Sequence, residues 1–376
     1  MKILTKENSQ ILRGLAILSI MMHNFLHKGI WGFSGENEMS FVQEKANAFI
    51  NVLILRQTDF LGVLCELFSF VGWIGVPVFV FLSGYGLAVS GSEYKREVDS
   101  LKHEIKDDQS LCFIKKQWLK LFALMLPAVV FFALVDFLQM GFSPVLLIKR
   151  GFYLTQLANF VYPFVKCSPG VYWYFGLTFQ FYLLWAMLRK KLNNWNLLII
   201  SVITLTGLYF TCKFASSDVL SIYRNCFTGW FEVFAFGLFL AQNKNYIDKF
   251  QLAWYWELLL LPFLISLVIL LNIRLEFWLF LPITALLKFF CLASLLIKVK
   301  YLSSLLKRIG GLSACIFVCH PIARLIVIQY MYKKFSLGII VLVYVILTFI
   351  LAVVYKRVYD HLLSLLVEKH LANTVK

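Results

Sequence analysis

The sequence predicts an all-α integral membrane protein, with about ten transmembrane helices in a single bundle and both termini cytoplasmic. Three observations carry that reading. Of 376 residues, 60% are hydrophobic and only 15% charged, and the mean hydropathy is +0.78; soluble chains are closer to half apolar and a quarter charged. Apolar runs near the ~20 residues needed to cross a hydrocarbon core recur from end to end. Lysine and arginine gather in alternate connections, as the positive-inside rule requires.

Taken in order, the expected spans are 9–27, 66–90, 118–138, 171–189, 195–213, 227–243, 253–272, 277–297, 310–331 and 336–356. The segment 141–164 is aromatic but broken by Pro144, Lys149, Arg150 and Pro163, so it reads as a loop with an interfacial or re-entrant helix. With the N-terminus inside, the inner connections hold Lys95, Arg96, Lys115 and Lys116, then Arg189 to Lys191, then Lys244 and Lys249, and finally Lys298, Lys300, Lys307, Arg308, Lys356 and Arg357. That places about 23 basic residues inside and about 11 outside. Residues 1–376 therefore read as one polytopic domain of the cell membrane, crossing it many times. Two polar connections stand out: an outer one over 28–65, and an inner one over 91–117 containing the charged, helix-favouring EYKREVDSLKHEIKDDQ.

Several classes are set aside on composition. The net charge of +16 fits cytoplasmic loops, and no soluble basic face suited to nucleic acid is present. The eight cysteines lie in or beside apolar runs without a CxxC pair, which speaks against a disulfide framework or a zinc site; no metal is expected. The first apolar run contains Arg13 and His23 and ends without a small-x-small site, so it reads as a retained helix rather than a signal peptide.

Ionisable groups inside a span face a bundle interior or a watery cavity and are functional candidates. They are Arg13, His23 and His27 in the first span, Glu66 in the second, and Glu232, Glu257, Lys288, His320 and Arg324 later. His23 and His27, four residues apart, share a helix face, while Arg13 lies roughly 15 Å down the axis. Snorkelling also accounts for Arg13. An imidazole near neutral pKa is the commonest general base. In VPVFVFLSGYG, Ser83 and the glycines serve either close packing or exposed backbone donors at a break. Trp173 opens the fourth span as interfacial anchor or site residue, with Gln180 and Tyr182 its polar members. His320 precedes Pro321, a kink-forming residue of the kind that borders membrane cavities, although a satisfied core histidine is the alternative.

At these residues the chain resembles the membrane acyltransferase-3 family, which includes bacterial O-acetyltransferases of cell-surface glycans. LRGLAILSIMMH at 12–23, VPVFVFLSGYG at 76–86, WYFGLTFQFY at 173–182 and GGLSACIFVCH at 310–320 are similar to that family's motifs and follow in the same order. The resemblance implies that His23 is the essential histidine and Arg13 its basic partner; His320 is expected to orient groups or relay protons in catalysis. It places Lys116 and Lys120 near the phosphates of acyl-CoA, a polyanion suited to point-charge lysines. His27, Asn24, Ser83, Trp173, Gln180 and Tyr182 are then expected to bind substrate, His27 toward the acceptor.

Four departures accompany it. Nine residues rather than ten separate Arg13 from His23, so Asn24 takes the usual register and His23 is turned by about 100°. The arginine pair before the third span appears as Lys116, Gln117 and Lys120; Gln180 stands where many members have a carboxylate; and Phe317 replaces a tyrosine. The expected activity is O-acyl transfer, acetyl first, from cytosolic acyl-CoA as co-substrate, with no bound cofactor. The acceptor is a hydroxyl of an extracytoplasmic or lipid-linked carbohydrate. A transporter or flippase for a lipid-linked glycan is the alternative, and a non-catalytic scaffold a third reading.

Overall fold

A computed structural model of the chain describes the backbone of residues 4–27, 30–56, 58–100, 108–161, 170–189, 191–244 and 254–374. Most of the charged inner connection lies outside the residues described: the backbone of 101–107 and the side chains of 92–109 are not included, nor are Pro163, Cys167, Lys190 and Lys249. Among the described residues every regular element is a helix. In chain order these are α1 (Ser9–Leu26), α2 (Gln43–Leu55), α3 (Phe60–Val71), α4 (Val76–Ser100), α5 (Asp108–Met140), α6 (Pro144–Leu154), α7 (Trp173–Leu188), α8 (Asn194–Phe214), α9 (Ser217–Asn225) and α10 (Phe231–Gln242). There follow α11 (Trp254–Leu271), a single turn at Leu275–Trp278, α12 (Leu281–Ile297), α13 (Lys300–Gly311), α14 (Ser313–Met331) and α15 (Leu337–Thr374).

Six described stretches are long and apolar enough to cross a membrane: Phe60–Gly91, Ser110–Met140, Asn194–Phe214, Trp254–Leu271, Ser313–Met331 and Leu337–Leu366. The chain is an all-helical membrane protein. α10 and α12 are apolar but shorter, and α7 has 16 residues. α1 spans 18 residues but carries Arg13, His23 and Asn24, which lower its mean hydropathy. Helices thus occur at all ten expected positions, while six meet the length and polarity of a crossing. On α8 and α11, Ile199, Val202, Ile203, Leu259 and Phe263 are exposed, as suits helices whose outer surface meets lipid tails.

Two boundaries differ from the sequence reading. The outer connection contains α2, and the second apolar stretch begins at Phe60 rather than at 66. That stretch is also broken by a 3-10 turn at Gly72–Gly75. Pro77, the second residue of α4, has no backbone N–H to give to the preceding turn, so a continuous α-ladder cannot run through it. Within the described part of this segment, residues 141–161, α6 starts at Pro144 under a Ser143 cap. Arg150, buried there, forms a two-point ion pair with Asp136 (2.7 and 2.9 Å).

The chain divides into two compact units, each described by itself: Met1–Ser100, Leu192–Arg224 and Thr228–Ser313 in the first, and Leu101–Lys191, Asn225–Phe227 and Ala314–Lys376 in the second. In the first, α4 packs along α10, and α1 lies between the 3-10 turn and α13. The α4–α10 approach is set by Gly84, where an added Cβ would strike the carbonyl oxygen of Phe234. This is the close-packing alternative for the SGYG stretch. In the second unit α5 packs against α6, α7 and α15. Pro127 interrupts α5, and the Tyr355 hydroxyl bridges the adjacent gap, donating to the Leu124 carbonyl (2.6 Å) and accepting from the Ala128 N–H (3.2 Å). A freed backbone pair inside an apolar unit must find such a partner.

The packing makes a prediction. Gly84→Ala should lose about 1–3 kcal/mol to overpacking and lower the thermal unfolding midpoint in detergent. Gly86→Ala, where an added Cβ meets nothing within 4 Å, should leave it unchanged or raise it. Equal midpoints for the two variants would contradict this packing.

Candidate active site

The site is built on the last turn of α1. His23 is 1% exposed, and its Nδ1 donates to the Ser69 carbonyl (2.9 Å), with the Phe68 carbonyl at 3.3 Å. Carbonyls only accept, so Nδ1 carries a proton, and in the neutral ring Nε2 holds the lone pair. The two helices meet closely because residue 72 is glycine: a Cβ there would lie 2.7 Å from the His23 Cβ. The Ser19 hydroxyl also donates to the Gly72 carbonyl (2.8 Å). Asn24, buried beside it, donates its amide to the Ile20 carbonyl of its own helix (3.0 Å). His27 closes the helix, its Nδ1 donating to the His23 carbonyl (2.8 Å). Its ring stacks on that of His23, with centroids 4.6 Å apart and planes 9° from parallel.

The chain after α1 folds back over this pair. Ser34 is tied to Glu66 of α3 by its N–H (3.2 and 3.3 Å) and by a short hydroxyl bond. The Ser69 hydroxyl donates to the Ser34 carbonyl (2.9 Å). Lys45 donates to the Glu36 carbonyl (2.7 Å), and Asn37 and Val42 bond reciprocally. The strongest anchor is Arg224, on α9 and 1% exposed. Its guanidinium donates to the Glu38 carbonyl (2.9 and 3.2 Å) and the Gly229 carbonyl (2.7 Å). It lies among the rings of Trp230, Trp278 and Trp73, at 4.0, 5.0 and 6.0 Å. Stacking on indoles offsets part of the desolvation of a buried guanidinium.

These anchors place the Glu38 carboxyl 3.9 Å from His23 Nε2. Burial, and then the neighbouring Glu36, push the Glu38 carboxyl up to about 8, with Arg224 opposing. At neutral pH the arrangement is a neutral carboxylic acid facing an imidazole nitrogen, two groups able to hold or pass one proton.

The other expected residues are spread over both units. Arg13, half-buried, lies on α1 ten residues before His23, about 15 Å along the helix. Ser83 donates to the Phe79 carbonyl of its own helix (2.9 Å). In the second unit, Gln180 accepts from the Phe227 N–H (2.9 Å) and donates toward Cys226 Sγ (3.7 Å). A carboxylate accepts only, so an amide suits this position. Trp173 is buried and its carbonyl accepts from Asn159 (2.8 Å); Tyr182 packs edge-on against Phe113. Lys116 is exposed and Lys120 half-buried on α5. His320 is fully buried, its Nδ1 donating to the Ile316 carbonyl (3.2 Å) and its ring packed on Phe317. Glu257, noted as an ionisable span residue, pairs with Lys298 (2.9 Å).

Sequence reasoning passed over Glu36, Glu38, Ser69 and Arg224. The two glutamates alternate directly behind the histidine helix, a legible signal. Arg224 reaches Glu38 across 186 residues of chain and gives none.

A family model described as an acyltransferase domain matches residues 7–357. Comparisons with curated proteins and with solved structures give no match.

Glu38 links this geometry to a stability measurement. Between its ordinary value of 4.5 and about 8, the folded chain keeps a proton that the unfolded chain releases. This contribution is therefore fully present below 4.5 and is lost as pH rises through the folded value. Glu38→Gln should flatten this loss, so that its unfolding midpoint gains on the wild type as pH rises from about 5 to about 9. Parallel curves would mean that the carboxyl is not held in this environment.

Proposed function

The chain belongs to the acyltransferase-domain family, so its activity is acyl transfer, and on that premise we propose an O-acyltransferase that moves an acyl group, acetyl first, from cytosolic acyl-CoA to a hydroxyl of an extracytoplasmic or lipid-linked carbohydrate. The observation that carries this reading is the tautomer of His23: with Nδ1 donating to Ser69, Nε2 offers a lone pair beside Glu38. The acceptor O–H gives its proton to Nε2 as its oxygen attacks the thioester carbonyl. The C–S bond then breaks, and the imidazolium returns the proton to the departing sulfur, yielding the ester and free CoA thiol. Nothing is oxidised or reduced. Glu38, neutral at the start, keeps its proton through the step, and its carboxyl oxygen, 3.9 Å from Nε2, faces the N–H of the imidazolium as it forms. The bond of His23 across to Ser69, which orients its ring, supports His23 over the residue in the family's usual register.

The sidedness is part of the same proposal. In it the apolar runs make about ten crossings, and the distribution of Lys and Arg supports cytoplasmic termini. They put Arg13, Lys116 and Lys120 toward the acyl-CoA phosphates and His27 toward the acceptor. His320, Ser83, Trp173, Gln180 and Tyr182 are assigned supporting roles in relaying protons or holding substrate.

The test uses purified full-length protein, acetyl-labelled acetyl-CoA and a surface glycan. Wild type should transfer label to the glycan, and His23→Ala should lose roughly 10²–10⁴-fold in rate, the usual contribution of a general base. Undiminished transfer by His23→Ala at equal expression would remove His23 from the reaction. A protein that only moved a lipid-linked glycan would leave the acceptor unlabelled.

A further inference from the structure

The two histidines and the turn above them are placed as chelating residues. His23, His27 and Glu36 each present a ligating atom, and the three atoms lie within 4.8 Å of one another. Atoms bound to one tetrahedral zinc ion at ~2.0–2.1 Å stand about 3.3 Å apart, so side-chain rotations that draw these atoms together close the set. Histidines four residues apart on one helix face are a recurrent chelating pair; here the rings lie face to face, 9° from parallel, so they must tilt toward each other before their in-plane lone pairs meet at one ion.

The surroundings match what such ligands need. A metal-bound histidine usually gives its other ring N–H to a carbonyl or carboxylate, which fixes the tautomer and the ring plane. His23 does so to Ser69, and His27 to the His23 carbonyl. The Glu36 backbone is held by Lys45, so the carboxylate arrives on an ordered turn. Two imidazoles and one carboxylate favour zinc-like transition metals over magnesium or calcium, which take oxygen-rich shells.

We propose that His23, His27 and Glu36 bind one divalent transition-metal ion of the zinc class, and that the bound ion silences acyl transfer. The silencing follows from electron-pair bookkeeping: the Nε2 lone pair of His23 takes either the acceptor's proton or the metal. That half rests on the function proposed above; the binding half does not.

The binding test is zinc competition between the purified full-length chain in detergent and a chromophoric chelator. Wild type should take up about one ion, and Glu36→Gln and His27→Gln should each weaken the affinity at least tenfold, the scale on which coordination support is lost. Unchanged affinity in both variants would overturn the site. In the second arm, wild-type acetyl transfer should fall over the zinc range in which the site fills. Glu36→Gln should need at least tenfold more zinc to lose the same fraction of its own zinc-free rate. Full transfer by a zinc-saturated chain would overturn the silencing. A chain that binds zinc but never transfers acetyl would sink the transferase reading while leaving the metal site standing.

Discussion

The backbone carbonyl of Glu38 is where a buried arginine reaches the segment that covers the histidines, and the site geometry depends on that contact. Arg224 gives two N–H groups to this carbonyl and a third to Gly229, inside a cage of three indoles. A buried guanidinium that loses these acceptors leaves an uncompensated charge in an apolar interior, which is strongly destabilising. The segment after α1 is therefore held at one end by Arg224 and at the other by Glu66 through Ser34. Held this way, it places a carboxyl beside His23 that burial keeps protonated at neutral pH.

The same constraint relates the mechanism to the fold. His23 needs Ser69 at hydrogen-bond distance, which requires α1 and α3 to approach where residue 72 has no side chain. Ser69 in turn donates to Ser34, so the residue that sets the tautomer of His23 also fastens the covering segment. Loss of a packing contact near Gly72 thus propagates to the orientation of the base and to the position of Glu38. Buried, fully connected polar networks of this sort behave as units.

Much of this was legible in the sequence, and what was not has a physical reason. Apolar run length gives the positions of the helices, and Ser143 before Pro144 marks the start of α6 as its cap. The break at Gly72–Gly75 follows from Pro77 but lay hidden inside one continuous apolar run. Arg150 read as a chain breaker because its partner, Asp136, sits fourteen residues earlier on another helix. His23 stood out as an imidazole in a membrane helix, with Asn24 in the family's usual register; in the structure Asn24 donates to Ile20 of α1, and His23 donates across to Ser69 of α3. Glu38 and Arg224 come together only in three dimensions, and neither helical periodicity nor motif spacing reports a contact between a turn and a distant helix.

The central claim is that Glu38 and His23 share the chemistry of one proton, and the rate of acetyl transfer as a function of pH tests it most directly. The account predicts an inflection near the Glu38 value of about 8 in the wild-type profile, and its disappearance in Glu38→Gln with the remaining limb intact. Superimposable wild-type and Glu38→Gln profiles would contradict it.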